Sequence, residues 1–146
     1  AGTVLSISQV RDAVSSGAQF IVSPGINPKV VGYCVENNIA VIPGCATPSD
    51  IECAIGFDLD VVKFFPAQAA GGIEYIKAVA APYVNVEFLP TGGINPENVK
   101  DYLGYDRIIA CGGSWMVKGE LIDAGRFDDI ERLTAEAVDI VKNTRR

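Results

Sequence analysis

Three joints of closely related composition recur along the chain: Ser23-Pro-Gly-Ile-Asn-Pro28, Ile42-Pro-Gly-Cys-Ala-Thr-Pro48 and Pro90-Thr-Gly-Gly-Ile-Asn-Pro96. Each follows an apolar run and precedes a segment with helical spacing. Glycine permits a sharp turn, and Asn27, Thr47 and Asn95 can accept from the unpaired amides of a helical first turn. Pro28, Pro48 and Pro96 fit the position after such a cap, where a missing N–H costs nothing. A strand-to-helix joint used three times predicts a repeated βα unit.

Working outward, the apolar runs Ala1–Leu5, Phe20–Ser23, Ala40–Pro43, Asp60–Phe65, Val86–Pro90 and Arg107–Cys111 read as about six strands. They are continuously apolar rather than alternating, which predicts parallel strands covered on both faces. Between them, Val10, Val14 and Ala18, or Ile73, Ile76, Val79 and Ala80, recur at helical spacing. Ser6 with Gln9 offers a capping box. A last helix is expected from Asp128-Asp129, burying Ile130, Leu133, Ala137 and Ile140 and ending in Lys142 and Arg145-Arg146, charges that suit the helix dipole. The alternation is α/β. No strand is followed by G-x-G-x-x-G, so a dinucleotide-binding sheet is disfavoured and a (β/α)8 TIM barrel leads, with about six βα units in this chain. No linker divides residues 1–146, which are read as one domain. Met116 is the sole methionine and Ala1–Leu5 already reads as a strand end, so a longer parent chain with two preceding units is expected.

The composition narrows the chemistry. A 146-residue chain that is 49% hydrophobic and carries a net charge of −6 is a poor nucleic-acid binder, which would need a basic stripe. No apolar run is long enough for a membrane span. The absence of histidine excludes imidazole catalysis and histidine metal sites. Cys34, Cys45, Cys53 and Cys111 form no C-x-x-C pair and read as reduced, buried apolar residues of a cytoplasmic protein. The acidic residues Asp50, Glu52, Asp58 and Asp60 are too scattered for a metal cage, and no metal or cofactor is expected.

Lys63 interrupts Val61-Val-Lys-Phe-Phe-Pro66 on the strand face of Val61 and Phe65. Apolar surroundings disfavour the ammonium form, leaving a neutral amine able to attack a carbonyl. An edge lysine that reaches solvent is the plainer alternative. Thr91-Gly-Gly93 and Gly112-Gly-Ser114 follow consecutive strands, where exposed amides and a hydroxyl suit a phosphate, although each also reads as a tight turn. Thr3 ends the first strand with a hydroxyl. Trp115 and Phe65 are expected to pack and to wall a pocket.

Taken together and in order, Ala1-Gly-Thr-Val4, Ser23-Pro-Gly25, Val62-Lys-Phe-Phe-Pro-Ala67, Pro90-Thr-Gly-Gly-Ile94 and Gly112-Gly-Ser-Trp115 resemble the 2-keto-3-deoxy-6-phosphogluconate (KDPG) aldolase family. The resemblance implies a metal-independent, cytoplasmic, homotrimeric class I aldolase whose small-molecule substrate is a 2-keto acid. It would cleave KDPG to pyruvate and glyceraldehyde 3-phosphate and, as in many members, 4-hydroxy-2-oxoglutarate to pyruvate and glyoxylate. It implies that Lys63 forms the imine, that Thr3, Pro24, Phe65 and Thr91 contact substrate, and that Gly92, Gly93, Gly113 and Ser114 hold the phosphate. It further implies an acid-base glutamate and a substrate-binding arginine on strands before residue 1. Two other readings remain open, a non-catalytic sugar-phosphate-binding barrel and a different Schiff-base lyase such as deoxyribose-phosphate aldolase.

Overall fold

The structure, a computed structural model, describes residues 1–144. Its elements run α1 Ile7–Ser15, β1 Phe20–Val22, α2 Pro28–Glu36, β2 Ala40–Ile42, β3 Gly44–Cys45 and α3 Pro48–Ile55. They continue with β4 Val61–Phe64, α4 Gly72–Ala80, β5 Glu87–Pro90, α5 Val99–Leu103, α6 Gly119–Asp123 and α7 Phe127–Thr144. All strand pairs are parallel: Phe20 faces Ala40, Gly44 faces Lys63, and Val61 faces Glu87.

The expected strand Ala40–Pro43 is β2, and a second short strand, β3, follows it directly. Pro43 has no N–H to continue the ladder, and its carbonyl accepts from the Lys63 N–H at 2.9 Å. At that point the chain stops pairing with β1 and starts pairing with β4. The expected outer strands are also weaker than the sequence suggests. Residues 107–112 follow β5 through Phe88 N–H to Arg107 O at 2.8 Å, Ile109 N–H to Phe88 O at 3.1 Å and Gly112 N–H to Pro90 O at 2.8 Å, but only as isolated bridges. Ala1–Leu5 is not a strand. Its backbone touches β1 through Val22 N–H to Ala1 O at 2.8 Å and Val4 N–H to Val22 O at 3.2 Å, with Thr3 at φ 57° between them. That left-handed kink breaks the ladder. The spatial order is therefore sequential, each segment lying beside the next one in the chain.

Burial is one-sided. Ile21, Val41, Val62, Phe64 and Phe88 are buried under the helices, whereas Val22, Ile42, Val61, Lys63, Glu87 and Leu89 on the other face are only half-buried. The expectation of two covered faces fails because the helices lie on one side of the sheet. Two apolar clusters fill that side, one around Val10, Ile21, Val31 and Cys34, the other around Ile51, Phe64, Ile76, Phe88 and Tyr102. Cys34 and Cys45 are buried as expected, but Cys53 and Cys111 are half-buried.

The helix starts follow their caps with two differences. Asn27 accepts from Lys29 N–H at 3.0 Å and Thr47 from Asp50 N–H at 3.3 Å. Ser6 Oγ accepts from Gln9 N–H, but Gln9 Oε1 returns the bond to Leu5 N–H at 2.7 Å, one residue before the cap. Asn95 Oδ1 accepts from Glu97 and Asn98 N–H, which tightens Pro96–Asn98 into a turn and delays α5 to Val99 rather than Pro96. In α1 only Val10 is buried; Val14 is exposed and Ala18 lies past the helix end. In α7 the inward residues are the expected Ile130, Leu133, Ala137 and Ile140, yet none is fully buried; Ala137, with Thr134 and Val138, lines a cavity of about 350 Å³ shared with Leu103, Ile109 and Trp115. Arg145 and Arg146, expected at its end, lie outside the described residues. Among the described residues no helix is long and apolar enough to cross a membrane.

Asp50 Oδ2 accepts from Ala46 N–H, Thr47 N–H and the Thr47 hydroxyl at 3.0, 3.0 and 2.8 Å. Burial works against its charge, but these three donors more than offset it and hold the carboxyl below its ordinary value. The stabilisation is thus fully present above pH ~4 and is lost as pH falls through the depressed value. Asp50→Ala should cost about 1–2 kcal/mol at neutral pH, measured by urea denaturation, and the gap to the wild type should shrink as the pH falls below 4.

Candidate active site

β4 places its side chains alternately on the two sheet faces, so Phe64 enters the helix-covered core while Val61, Lys63 and Phe65 share the opposite face. Lys63 Nζ lies 4.7 Å from the centroid of the Phe65 ring, and among the described residues it joins no ion pair. Burial lowers its pKa. The ring's negative face favours the cation and opposes that shift, yet desolvation prevails. A half-buried amine with no carboxylate beside it is the arrangement a nucleophilic lysine needs.

The strand ladder brings the glycine loops to this lysine. Phe64 faces Pro90 across β4 and β5, and Thr91 N–H donates to Phe64 O at 2.9 Å. Thr91 in turn bridges to Gly112. Thr91, Gly92, Gly93, Ile94, Gly112, Gly113 and Ser114 line one cavity of about 280 Å³. The N–H groups of Gly92, Gly93, Gly113 and Ser114 donate to no protein acceptor among the described residues, and Gly93, Gly113 and Ser114 are exposed. Unpaired amides converging on a cavity favour an anion. The Phe65 ring connects the two halves, since a methyl group on Gly92 would lie 3.5 Å from Phe65 Cδ2.

On the other side of β4, the Pro24 loop approaches β3. The buried Ser23 hydroxyl donates to Gly25 O at 2.8 Å and folds this loop back. The loop then crosses Gly44 so closely that any side chain there would collide with the Pro24 carbonyl, and Gly44 is the residue paired with Lys63. Thr3 stands apart. It is exposed and lies on the far side of β1, three segments from β4 in the sheet order.

Several residues that shape the site carry no motif. Gln68, Asn98 and Tyr102 look ordinary in sequence because their roles depend on partners distant along the chain. Gln68 Oε1 accepts from the Tyr102 hydroxyl at 2.8 Å, a separation of 34 positions that no local pattern reports. Burial raises the Tyr102 pKa, which keeps that donor protonated. Of the scattered acidic residues, Asp50 is a helix cap and Glu52 Oε1 accepts from the Tyr83 hydroxyl at 3.0 Å.

Comparison with known proteins gives consistent matches. A family model described as KDPG and KHG aldolase matches residues 1–133. The 2-dehydro-3-deoxy-phosphogluconate aldolase of Haemophilus influenzae is 49% identical over 97% of this chain and 67% of its own length. The KHG/KDPG aldolase of Escherichia coli is 41% identical over the same shares. A crystal structure of KDPG aldolase from Legionella pneumophila, with pyruvate captured at low pH as a covalent carbinolamine intermediate, superimposes with a TM-score of 0.87 at 39% identity. It covers 90% of this chain and 64% of that one. The chain thus spans about two thirds of the curated relatives and slightly less of this solved structure.

Gly44→Ala should force the Pro24 loop away from β3 and destabilise the fold by roughly 3 kcal/mol, the upper end for overpacking. Gly25→Ala, where a methyl group meets nothing within 4 Å, should change stability by no more than ~0.5 kcal/mol. Denaturant midpoints of the two variants check the contrast.

Proposed function

The chain belongs to the KDPG and KHG aldolase family, and from that premise we propose that it is a class I, Schiff-base aldolase with Lys63 as nucleophile. Its substrate is 2-keto-3-deoxy-6-phosphogluconate, cleaved to pyruvate and glyceraldehyde 3-phosphate; 4-hydroxy-2-oxoglutarate is a second substrate, giving pyruvate and glyoxylate. The observation that carries this reading is a lysine near the end of β4 whose pKa is lowered by burial, beside the β5 end that leads into a cavity lined by unpaired amides. The carbinolamine held by the Legionella pneumophila relative is the chemistry such an amine performs.

The neutral Lys63 amine adds to the C2 carbonyl, giving a carbinolamine that loses water to form the protonated imine. This imine draws electrons from the C3–C4 bond. As that bond breaks, a base takes the C4 hydroxyl proton, the aldehyde departs and an enamine of pyruvate remains. Protonation at C3 and hydrolysis then release pyruvate and return the amine. Pro24, Phe65 and Thr91 are assigned to the pyruvyl end, with Phe65 as a hydrophobic wall; Thr3, exposed and three segments from β4, is assigned there on the family resemblance alone. Gly92, Gly93, Gly113 and Ser114 are assigned to the phosphate, whose oxygens can accept from their free N–H groups and the Ser114 hydroxyl. The sequential parallel order of six backbone segments supports reading them as consecutive staves of a (β/α)8 barrel in one domain, with the site at the C-terminal strand ends. The same reading makes the protein a cytoplasmic homotrimer, with sedimentation expected to give three times the chain mass.

Borohydride reduction in the presence of pyruvate should trap one adduct, and peptide mapping should find it on Lys63; an adduct on Lys77 or Lys118, or none, would overturn the assignment. Only the neutral amine attacks, so imine formation should rise with pH through an inflection below the ordinary lysine value of 10.5. Ser114→Ala should raise KM about tenfold for the phosphorylated substrate, as for one lost hydrogen bond to a charged group worth roughly 1.5 kcal/mol. The KM for 4-hydroxy-2-oxoglutarate, which has no phosphate, should stay near the wild-type value.

A further inference from the structure

Two backbone bonds extend the β4–β5 ladder past the ends of both strands. Ala67 N–H donates to Thr91 O at 2.8 Å and Gln68 N–H to Gly92 O at 3.0 Å. The Gln68 side chain then lies directly over Gly93, where a methyl group would come within 2.6 Å of Gln68 Cβ. Gly93 itself has φ 76°, a left-handed conformation that glycine adopts without strain. Although Gln68 is an exposed residue, its Oε1 turns inward to accept from the buried Tyr102 hydroxyl at 2.8 Å and from Asn98 Nδ2 at 3.4 Å. Asn98 Nδ2 also donates to Gly93 O at 2.9 Å, and Asn98 Oδ1 accepts from Asn95 N–H at 2.9 Å.

We infer that Gln68 is a positioning residue for phosphate recognition: held by Tyr102 and Asn98, its side chain keeps the Gly92-Gly93 amides turned toward the cavity. This inference rests on the phosphate reading of that cavity. The physical reason is that an anion gains most from amides already aimed at it, because no ordering cost is then incurred on binding. A free loop with two left-handed glycines samples many conformations, and most of them would point the amides elsewhere. Tyr102 cannot easily release Gln68, since its hydroxyl is in the protein interior and would be left without an acceptor. Gln68 also follows Lys63 by five residues, so the segment that aims the phosphate loop is the one that carries the amine.

The test uses Gln68→Met, which keeps the packing on Gly93 but removes the acceptor, and Tyr102→Phe, which removes the donor and keeps the ring. Inorganic phosphate is titrated into the wild type and both variants while the backbone amide resonances of Gly92, Gly93 and Gly113 are followed. Each variant should weaken phosphate about tenfold and shift the Gly93 amide before any phosphate is added. KM for the phosphorylated substrate should rise by a similar factor, with little change for 4-hydroxy-2-oxoglutarate. An unaltered phosphate affinity in both variants overturns the inference, as does an equal loss with the unphosphorylated substrate. Failure of pyruvate to be trapped on wild-type Lys63 would instead overturn the aldolase reading, and the phosphate titration would still decide the role of Gln68.

Discussion

The parallel pairing of β4 with β5 is the constraint on which the rest depends. Its register, Lys63 opposite Leu89 and Phe64 opposite Pro90, determines which residues of two distant segments can meet. Because the hydrogen bonding continues from Phe64 O through Thr91 to Ala67 and Gln68, the amine and the glycine loop form one rigid piece. A slip of one residue would turn Lys63 into the core and Phe64 out of it. The buried Val62, Phe64 and Phe88 make such a slip costly, so the apolar core enforces the geometry of the polar site.

The one-sided burial of the sheet has a chemical use. Side chains beneath the helices are fully packed, whereas those opposite, Lys63 among them, sit in an intermediate environment. Complete burial would leave an unpaired amine with a large desolvation cost, and full exposure would leave it protonated near its ordinary pKa. Half-burial against Phe65 lies between these limits. The loops follow a similar economy, with their backbone amides left open at the strand ends while their carbonyls are tied to neighbours such as Ala67, Gln68 and Asn98.

Much of this was legible in the sequence. The repeated joints located β1, β2 and β5, and the apolar run Asp60–Phe65 located β4, to within a residue or two, because glycine, cap, proline and strand pattern each act through local backbone geometry. The face of Lys63 followed from strand alternation, and the pairing of the two glycine loops followed from their positions after consecutive strands. The inward stripe of α7 was likewise visible, since helical spacing depends only on the helix itself. These features need no knowledge of distant partners.

Other features were settled by tertiary contact alone. Whether Ile130, Leu133, Ala137 and Ile140 are fully or partly buried depends on what packs against α7, and a stripe cannot report that. The kink at Thr3 and the change of partner at Pro43 depend on the neighbouring strand. Gly44 matters because the Pro24 loop crosses it, and Gln68 because Tyr102 reaches it across the fold; the Gly44 joint signals a turn but not that crossing, and Gln68 has no local signature. The sequence by itself determined the alternation of elements, the candidate nucleophile and the candidate anion loops, all set by short-range sterics and hydrogen bonding. Only the tertiary structure decided register, depth of burial and the side chains that aim the loops, because these depend on pairings between residues far apart in the chain.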